Sequence, residues 1–295
     1  MNFEKCTICP RKCGVNRSIA KGFCGQSDRL KIARAALHFW EEPVISGKNG
    51  SGAIFFTGCP LKCCFCQNHD ISQEDTGTEI SVDKLRKIML RLQDEGANNI
   101  NLVTPTHFTP LILEALDGIK CELHIPVVYN CGGYESVETI KALTNYVGIF
   151  LPDFKYFSSE ISKKYSNAED YFEVASKAIK AMFEITGKPV IENGLMKKGI
   201  IVRHMVLPNN RNDSIAIVNY LGKAFASDEI MLSLMSQYTP FYKSNEFKEI
   251  SRRLSTFEYN SVVKVAEAYG FDGFIQDRKS SARCYIPPFS NNPDL

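Results

Sequence analysis

The chain has 295 residues, 44% apolar and 23% charged, with 35 Lys and Arg against 33 Asp and Glu and a formal net charge of +2. That composition excludes a disordered, collagen-like or simple coiled-coil chain, and the charge offers no strong field to nucleic acid or membrane. At roughly 150 residues per domain it predicts one large domain or two modest ones. No apolar run approaches the roughly 18 residues of a membrane span. No apolar stretch of a secretory signal follows Met1. The expectation is a cytoplasmic protein with reduced thiols.

Taken in chain order, the first feature is Cys6-x2-Cys9-x3-Cys13-x10-Cys24. Four thiolates close a coordination shell, which suits zinc or an auxiliary [4Fe-4S] cluster with a structural or electron-transfer role. Gly14, Gly22 and Gly25 allow tight turns around it, and Arg11 and Arg17 can offset thiolate charge. Residues 30–40 carry apolar side chains at helical spacing, so a helix is expected that Glu41-Glu42-Pro43 ends. Gly47, Gly50 and Gly52 mark a boundary near residue 50.

Strands and helices then alternate. Residues 53–57 form a continuous apolar run, the pattern of a strand buried on both faces. Ser81 caps a helix through Leu85, Ile88, Met89 and Leu92 that Gly96 stops. Strands are expected at 99–103, 127–130, 147–151, 200–207 and 231–235, and helices at 111–116 and 136–144. A longer helix is expected from Asn167 to Gly187. Ser255 and Glu258 form a capping-box pattern before a last helix with Val262, Val263, Ala266 and Tyr269. The tail 282–289, with Cys284, reads as an extended segment.

Six β-then-α units argue for a parallel sheet, doubly wound or barrel. No G-x-G-x-x-G follows the first strand, which disfavours a dinucleotide fold. In a barrel, chemistry sits at the C-terminal strand ends. There the chain places Cys59, residues 104–107, Asn130, Cys131, Asp153, Lys155, Arg203, Gln237 and Tyr238. Tyr129, Gln237 and Tyr238 are candidate pocket lining. Cys59, Cys63 and Cys66 on one short loop can hold three corners of a four-iron cluster and leave one iron open. The alternative is zinc with His69 as fourth ligand. Cys64 is read as a spectator.

The segment Phe56-Thr57-Gly58-Cys59-Pro60-Leu61-Lys62-Cys63-Cys64-Phe65-Cys66-Gln67-Asn68 resembles the signature of the radical S-adenosylmethionine (SAM) superfamily. Asn68, Asp70, the Asn130–Tyr134 turn, Leu151-Pro152-Asp153-Phe154-Lys155 and the 233–238 segment look like its pyruvate formate-lyase activating enzyme subgroup, in a branch with an extra N-terminal Cys motif. The resemblance implies an α/β fold, a partial (β/α)6 TIM-type barrel. It divides the chain into a Cys-rich segment (1–50), a core barrel (51–240) and a C-terminal helical extension and tail (241–295). It implies a [4Fe-4S] cluster with one open iron. SAM would be cleaved reductively there to a 5′-deoxyadenosyl radical that takes hydrogen from a substrate. That substrate would be a small molecule, a peptide or an RNA, and a flavodoxin or ferredoxin would give the electron. Phe65, Asn68, Asn130, Asp153, Lys155 and Arg203 carry over as SAM contacts, the Asp-x-Lys pair also near a monovalent cation.

Two departures from the family pattern stand out. A Gly-Gly-Glu stretch that holds the SAM amino group is replaced by Thr104-Pro105-Thr106-His107. Thr104 or Thr106 can accept that bond instead, and His107 can be an acid or base. Asn130 stands where activating enzymes have Asp. Cys131 is a candidate hydrogen-atom donor. Alternative functions are a glycyl-radical-enzyme activase acting on a partner protein and a non-enzymatic metal-stabilised binding protein.

Overall fold

Residues 2–275 are described, in a computed structural model. The tail 282–289 and Cys284 lie outside them. The Cys-rich start has turns only, tied by bonds such as Cys6 N–H to Val15 O (3.0 Å). The expected helix at 30–40 is instead strand β1, Lys31–His38. It pairs antiparallel with β2, Ser51–Phe56, as Ala35 faces Ile54 and Leu37 faces Gly52. The run KIARAALH favours helix by its alanines. The ladder to β2 supplies hydrogen bonds that a helix there would forfeit, so tertiary pairing overrides propensity. Between them lies α1, Pro43–Ser46, with Pro43 in its first turn.

After β2 come α2 (His69–Ser72), β3 (Thr78–Glu79), α3 (Val82–Asp94) and β4 (Ile100–Val103). Ser81 caps α3 as expected, its hydroxyl accepting from Lys84 N–H at 3.1 Å. Next are α4 (Thr109–Gly118), β5 (Val127–Cys131), α5 (Val137–Ala142) and β6 (Ile149–Pro152). The helix expected from Asn167 to Gly187 is α7 (Tyr171–Thr186), and a further helix, α6 (Ser159–Ser166), precedes it. Asn167 closes α6 with φ 50° rather than opening α7. The chain continues with β7 (Val190–Glu192), β8 (Leu195–Met205), α8 (Arg211–Ala224), β9 (Met231–Met235), α9 (Thr256–Tyr269) and β10 (Gly273–Ile275). β7 and β8 form a hairpin through Asn193-Gly194, both at positive φ. The Ser255–Glu258 capping box is present in full.

The sheet order is β10-β9-β8-β6-β5-β4-β2-β1-β3, with β7 beside β8. From β2 to β10 every neighbouring pair is parallel, and six of these strands each lead into helix. This is the α/β partial (β/α)6 barrel, and among the described residues the sheet does not close, its ends being β10 and β3. The C-terminal extension is more than helical: α9 packs on α8, then β10 returns to the sheet beside β9. The main core lies between sheet and helices. A second core fills the barrel interior, where Ile45 of α1 packs with Val128, Ile149, Leu151, Ile201 and Met231. α1 therefore plugs the barrel from inside, and the segment entering it, Glu41-Glu42, reaches the polar layer above.

Candidate functional site

The Cys59–Cys66 loop leaves β2 through Gly58, whose φ is +90°. A Cβ there would stand 2.5 Å from Gln26 Cγ and 2.8 Å from Cys24 O, so only glycine fits. Close approach lets Cys59 N–H donate to Cys24 O at 3.3 Å, which ties the two cysteine motifs together. Leu61 N–H points at Cys59 Sγ (3.4 Å), Ser166 Oγ–H at Cys63 Sγ (2.9 Å), and Cys66 Sγ meets Ser72 Oγ (3.3 Å). Cys59, Cys63 and Cys66 all line one cavity of about 680 Å³, within the roughly 300–1,000 Å³ of small-molecule sites. Burial, then the neighbouring Cys63, pushes the Cys59 thiol well up and Cys66 up to about 11. Such thiols ionise fully only against a metal centre.

The donor set fits an iron–sulfur cluster better than one zinc ion. Zn–S bonds of about 2.3 Å put tetrahedral sulfurs about 3.8 Å apart. Among the described residues no three cysteine sulfurs lie within 4.8 Å of one another. The side chains that do converge so closely are His69, Asp70 and Glu74. His69 Nε2 faces Asp70 Oδ1 at 2.9 Å and its ring stacks on Tyr242. Cys64 is buried outside the cavity lining, its N–H bonded to Tyr165 O (2.8 Å).

Across the cavity, parallel register aligns the polar strand ends. Asp153 bridges Arg203, and Arg203 faces Ser233. Arg203 donates through Nε to Asp153 Oδ1 (3.0 Å), through one Nη to Glu41 Oε2 (3.2 Å) and through the other to Asn130 Oδ1 (2.7 Å). Lys155 Nζ donates to Asp153 Oδ2. Asn130 Nδ2 and Asn101 Nδ2 both donate to Glu41 Oε1, at 3.2 and 3.1 Å. Burial raises Glu41 and Glu42 against the pull of Arg203. Burial also opposes Asp153, yet Arg203 and Lys155 hold its carboxyl below the ordinary range. Lys155 is raised, Asp153 outweighing burial.

Phe65, Asn68, Thr104, Asn130, Cys131 and Gln237 line the same cavity, as do Asp153, Lys155 and Arg203. Thr104 sits at φ 52°, an uncommon conformation for a β-branched residue. The structure does not bring Thr106 or His107 to the lining. Thr106 is turned away, donating to Glu135 Oε1 at 2.6 Å. His107 is buried behind the wall, Nε2–H donating to Thr57 O (2.7 Å). Burial, then Arg17, lowers its pKa to about 3, so the ring is neutral. Tyr129 and Tyr238 are buried and also off the lining; Tyr238 packs edge-on to Phe65.

Three acids escaped the sequence reading. Glu41 and Glu42 read as a helix stop, and nothing local points to Arg203, far along the chain. Glu135 is wholly buried, taking bonds from Thr106, Tyr129 (3.2 Å) and Cys131, and burial raises it to about 8. It follows Gly133, where a Cβ would sit 2.1 Å from Asp153 O. Gly132-Gly133 ahead of an acid was the available signal.

Cys6, Cys9 and Cys24 are buried and Cys13 partly so. A Cβ on Gly22 would lie 3.5 and 3.6 Å from the Cys13 and Cys24 sulfurs. Burial raises Cys9 to about 12 and also raises Cys24. Cys13 is lowered, the Val15 and Phe23 amides outweighing burial. Arg17 is fully buried, donating to the carbonyls of Gln26, Ser27 and His107. Arg11 donates to Pro60 O (2.9 Å) and Ser166 O (3.3 Å), bracing the N-terminal motif against the Cys59 loop.

The family model of the radical SAM superfamily matches residues 53–217, more than half of the chain. The chain belongs to that superfamily, whose members are enzymes using a [4Fe-4S] cluster and SAM. A curated relative is Uncharacterized protein MJ0674 of Methanocaldococcus jannaschii, 32% identical over 282 residues, covering 92% of this chain and 76% of that protein. Two solved structures share the fold. Streptococcus suis SuiB bound to precursor peptide SuiA has TM-score 0.50 at 12% identity, over 76% of this chain and 48% of that one. The FeFe-hydrogenase maturase HydG of Carboxydothermus hydrogenoformans has TM-score 0.51 at 12% identity, over 77% and 54%. This chain thus spans about half the length of these solved structures. Among the described residues no helix is long and apolar enough to cross a membrane.

Proposed function

We propose that this protein is a radical SAM enzyme of the activating-enzyme-like type whose reaction takes place in the 680 Å³ cavity. The observation that carries the reading is the meeting of Cys59, Cys63 and Cys66 with Asp153, Lys155 and Arg203 in that one cavity. A bound [4Fe-4S] cluster and SAM would supply a 5′-deoxyadenosyl radical that takes a hydrogen atom from the substrate. The chain's own residues position and shield. Ser166 and Leu61 aim hydrogens at the ligating sulfurs. Phe65 and Asn68 would hold the adenosine, and the Thr104 hydroxyl would accept from the SAM amino group. Lys155 and Arg203 would hold the SAM carboxylate. Both oxygens of Asp153 already take Lys155 and Arg203, so a monovalent cation enters this reading only as their competitor. Cys131 stands at the wall as hydrogen-atom donor. Thr106 and His107 serve as supports behind it.

The Cys6, Cys9, Cys13 and Cys24 site fits an auxiliary cluster that passes an electron inward, a reading favoured by the Cys59-to-Cys24 backbone bond. Residues 1–50 then form the relay segment, 51–240 the core and 241–295 the extension. A flavodoxin or ferredoxin would give the electron. A glycyl radical enzyme is a second candidate substrate. Iron and sulfide analysis tests both sites. Cys59, Cys63 and Cys66 changed together to Ala, and the four N-terminal cysteines changed likewise, should each lose about half of the iron. SAM should alter the electron paramagnetic resonance signal only where the Cys59 loop is intact. Unchanged iron in either variant overturns that assignment.

A further inference from the structure

Glu42 is a built but incomplete binding group. Only 9% of the residue is exposed, and it lines the cavity. Ser233 hydrogen-bonds its carboxylate, yet Oε2 is buried with no partner among the described residues. A buried acceptor left unsatisfied is destabilising, the more so when it carries charge. Arg203 does not supply the missing bond, its donations going to Asp153, Glu41 and Asn130. Three carboxyl groups, Glu41, Glu42 and Asp153, share the cavity with two cations, Arg203 and Lys155, and burial raises Glu42 despite the pull of Arg203. A cationic ligand able to donate a hydrogen bond would give Oε2 its missing donor and offset that burial.

We propose that Glu42, seated on the cavity floor where α1 plugs the barrel, anchors the substrate by a primary ammonium group, so that the substrate is a small amine. This rests on the reading of the cavity as the reaction site and adds the chemical class of its substrate. Glu41 is the positioning residue: held by Asn101 and Asn130, it fixes Arg203 and keeps it from collapsing onto Glu42. An ammonium ion fits better than a hydroxyl because only the former brings the buried Glu42 carboxylate a counter-charge as well as a donor.

Trp40, the chain's single tryptophan, lines the same cavity two residues from Glu42 and is 61% exposed, so its fluorescence reports on the floor. The probes are n-butylamine and its neutral counterpart n-butanol, titrated into the full chain at neutral pH. The expected result is a saturable response to the amine, at least tenfold weaker in Glu42→Gln and weakened to a lesser degree in Glu42→Asp, with butanol giving none. Thermal unfolding gives a second readout, the amine raising the wild-type midpoint and butanol leaving it unchanged. Equal responses to the two probes, or an unchanged amine affinity in a folded Glu42→Gln, overturn the proposal. If neither variant folds, the wild-type melting comparison decides. None of this needs SAM cleavage, so failure of the amine site and failure of the radical reading are separately visible.

Discussion

Replacing Glu135 by Gln should stabilise the protein at neutral pH and leave it unchanged in acid. The carboxyl lies wholly buried behind the cavity wall, and its pKa rises from 4.5 to about 8 through burial. The native chain therefore keeps a proton that the unfolded chain releases above pH 4.5. Stability is lost as pH climbs from 4.5 to about 8, because the native state binds the extra proton. At pH 7 the gap from the unfolded value is about 2.5 units, or about 3 kcal/mol at 1.36 kcal/mol per unit. Gln copies the protonated acid, accepting from Thr106 and donating from its amide, without that proton release. Urea unfolding followed by circular dichroism at pH 4.5 and pH 7 measures the difference. With a slope near 3 kcal/mol/M, the Gln midpoint should exceed wild type by about 1 M at pH 7. At pH 4.5 the two should nearly coincide. A variant less stable than wild type at pH 7, or an equal offset at both pH values, would refute the reasoning.

Other perturbations follow from the same contacts. Ser166→Ala removes the hydroxyl aimed at Cys63 and should lower the potential of the reconstituted Cys59-loop cluster, read by redox titration, with iron content unchanged. Gly58→Ala meets both a positive φ and the Cys24 carbonyl, so it should cost at least about 1–2 kcal/mol in urea unfolding and loosen the tie between the cysteine motifs. Ser255→Ala breaks the capping box of α9 and should cost about 1 kcal/mol while leaving SAM binding intact.

The sequence disclosed most of what the parallel core requires. The apolar run 53–57 became a strand buried at every position, and the Ser81 and Ser255 caps formed as spaced, because these signals are local. β1 departs from the expected helix because the helical spacing of its apolar residues is a local signal and its pairing with β2 is not. α6 was missed because SEISKKYS is short and mostly polar. In the site, the cysteines and the Asp153–Lys155 pair were legible from spacing, whereas Glu41 and Glu42 were not. Glu41 takes its meaning from Arg203, which only strand β8 brings to it. Thr106 and His107 lie in sequence beside a true lining residue, Thr104, but a 3-10 turn, Thr106–Phe108, rotates both away from the cavity.

The most direct test of the account is anaerobic. Reconstitute the chain with iron and sulfide, add SAM and dithionite, and quantify 5′-deoxyadenosine beside a variant with Cys59, Cys63 and Cys66 changed to Ala. Deoxyadenosine is expected from wild type and none from the variant. No deoxyadenosine from a fully loaded wild type, with or without n-butylamine, would contradict it.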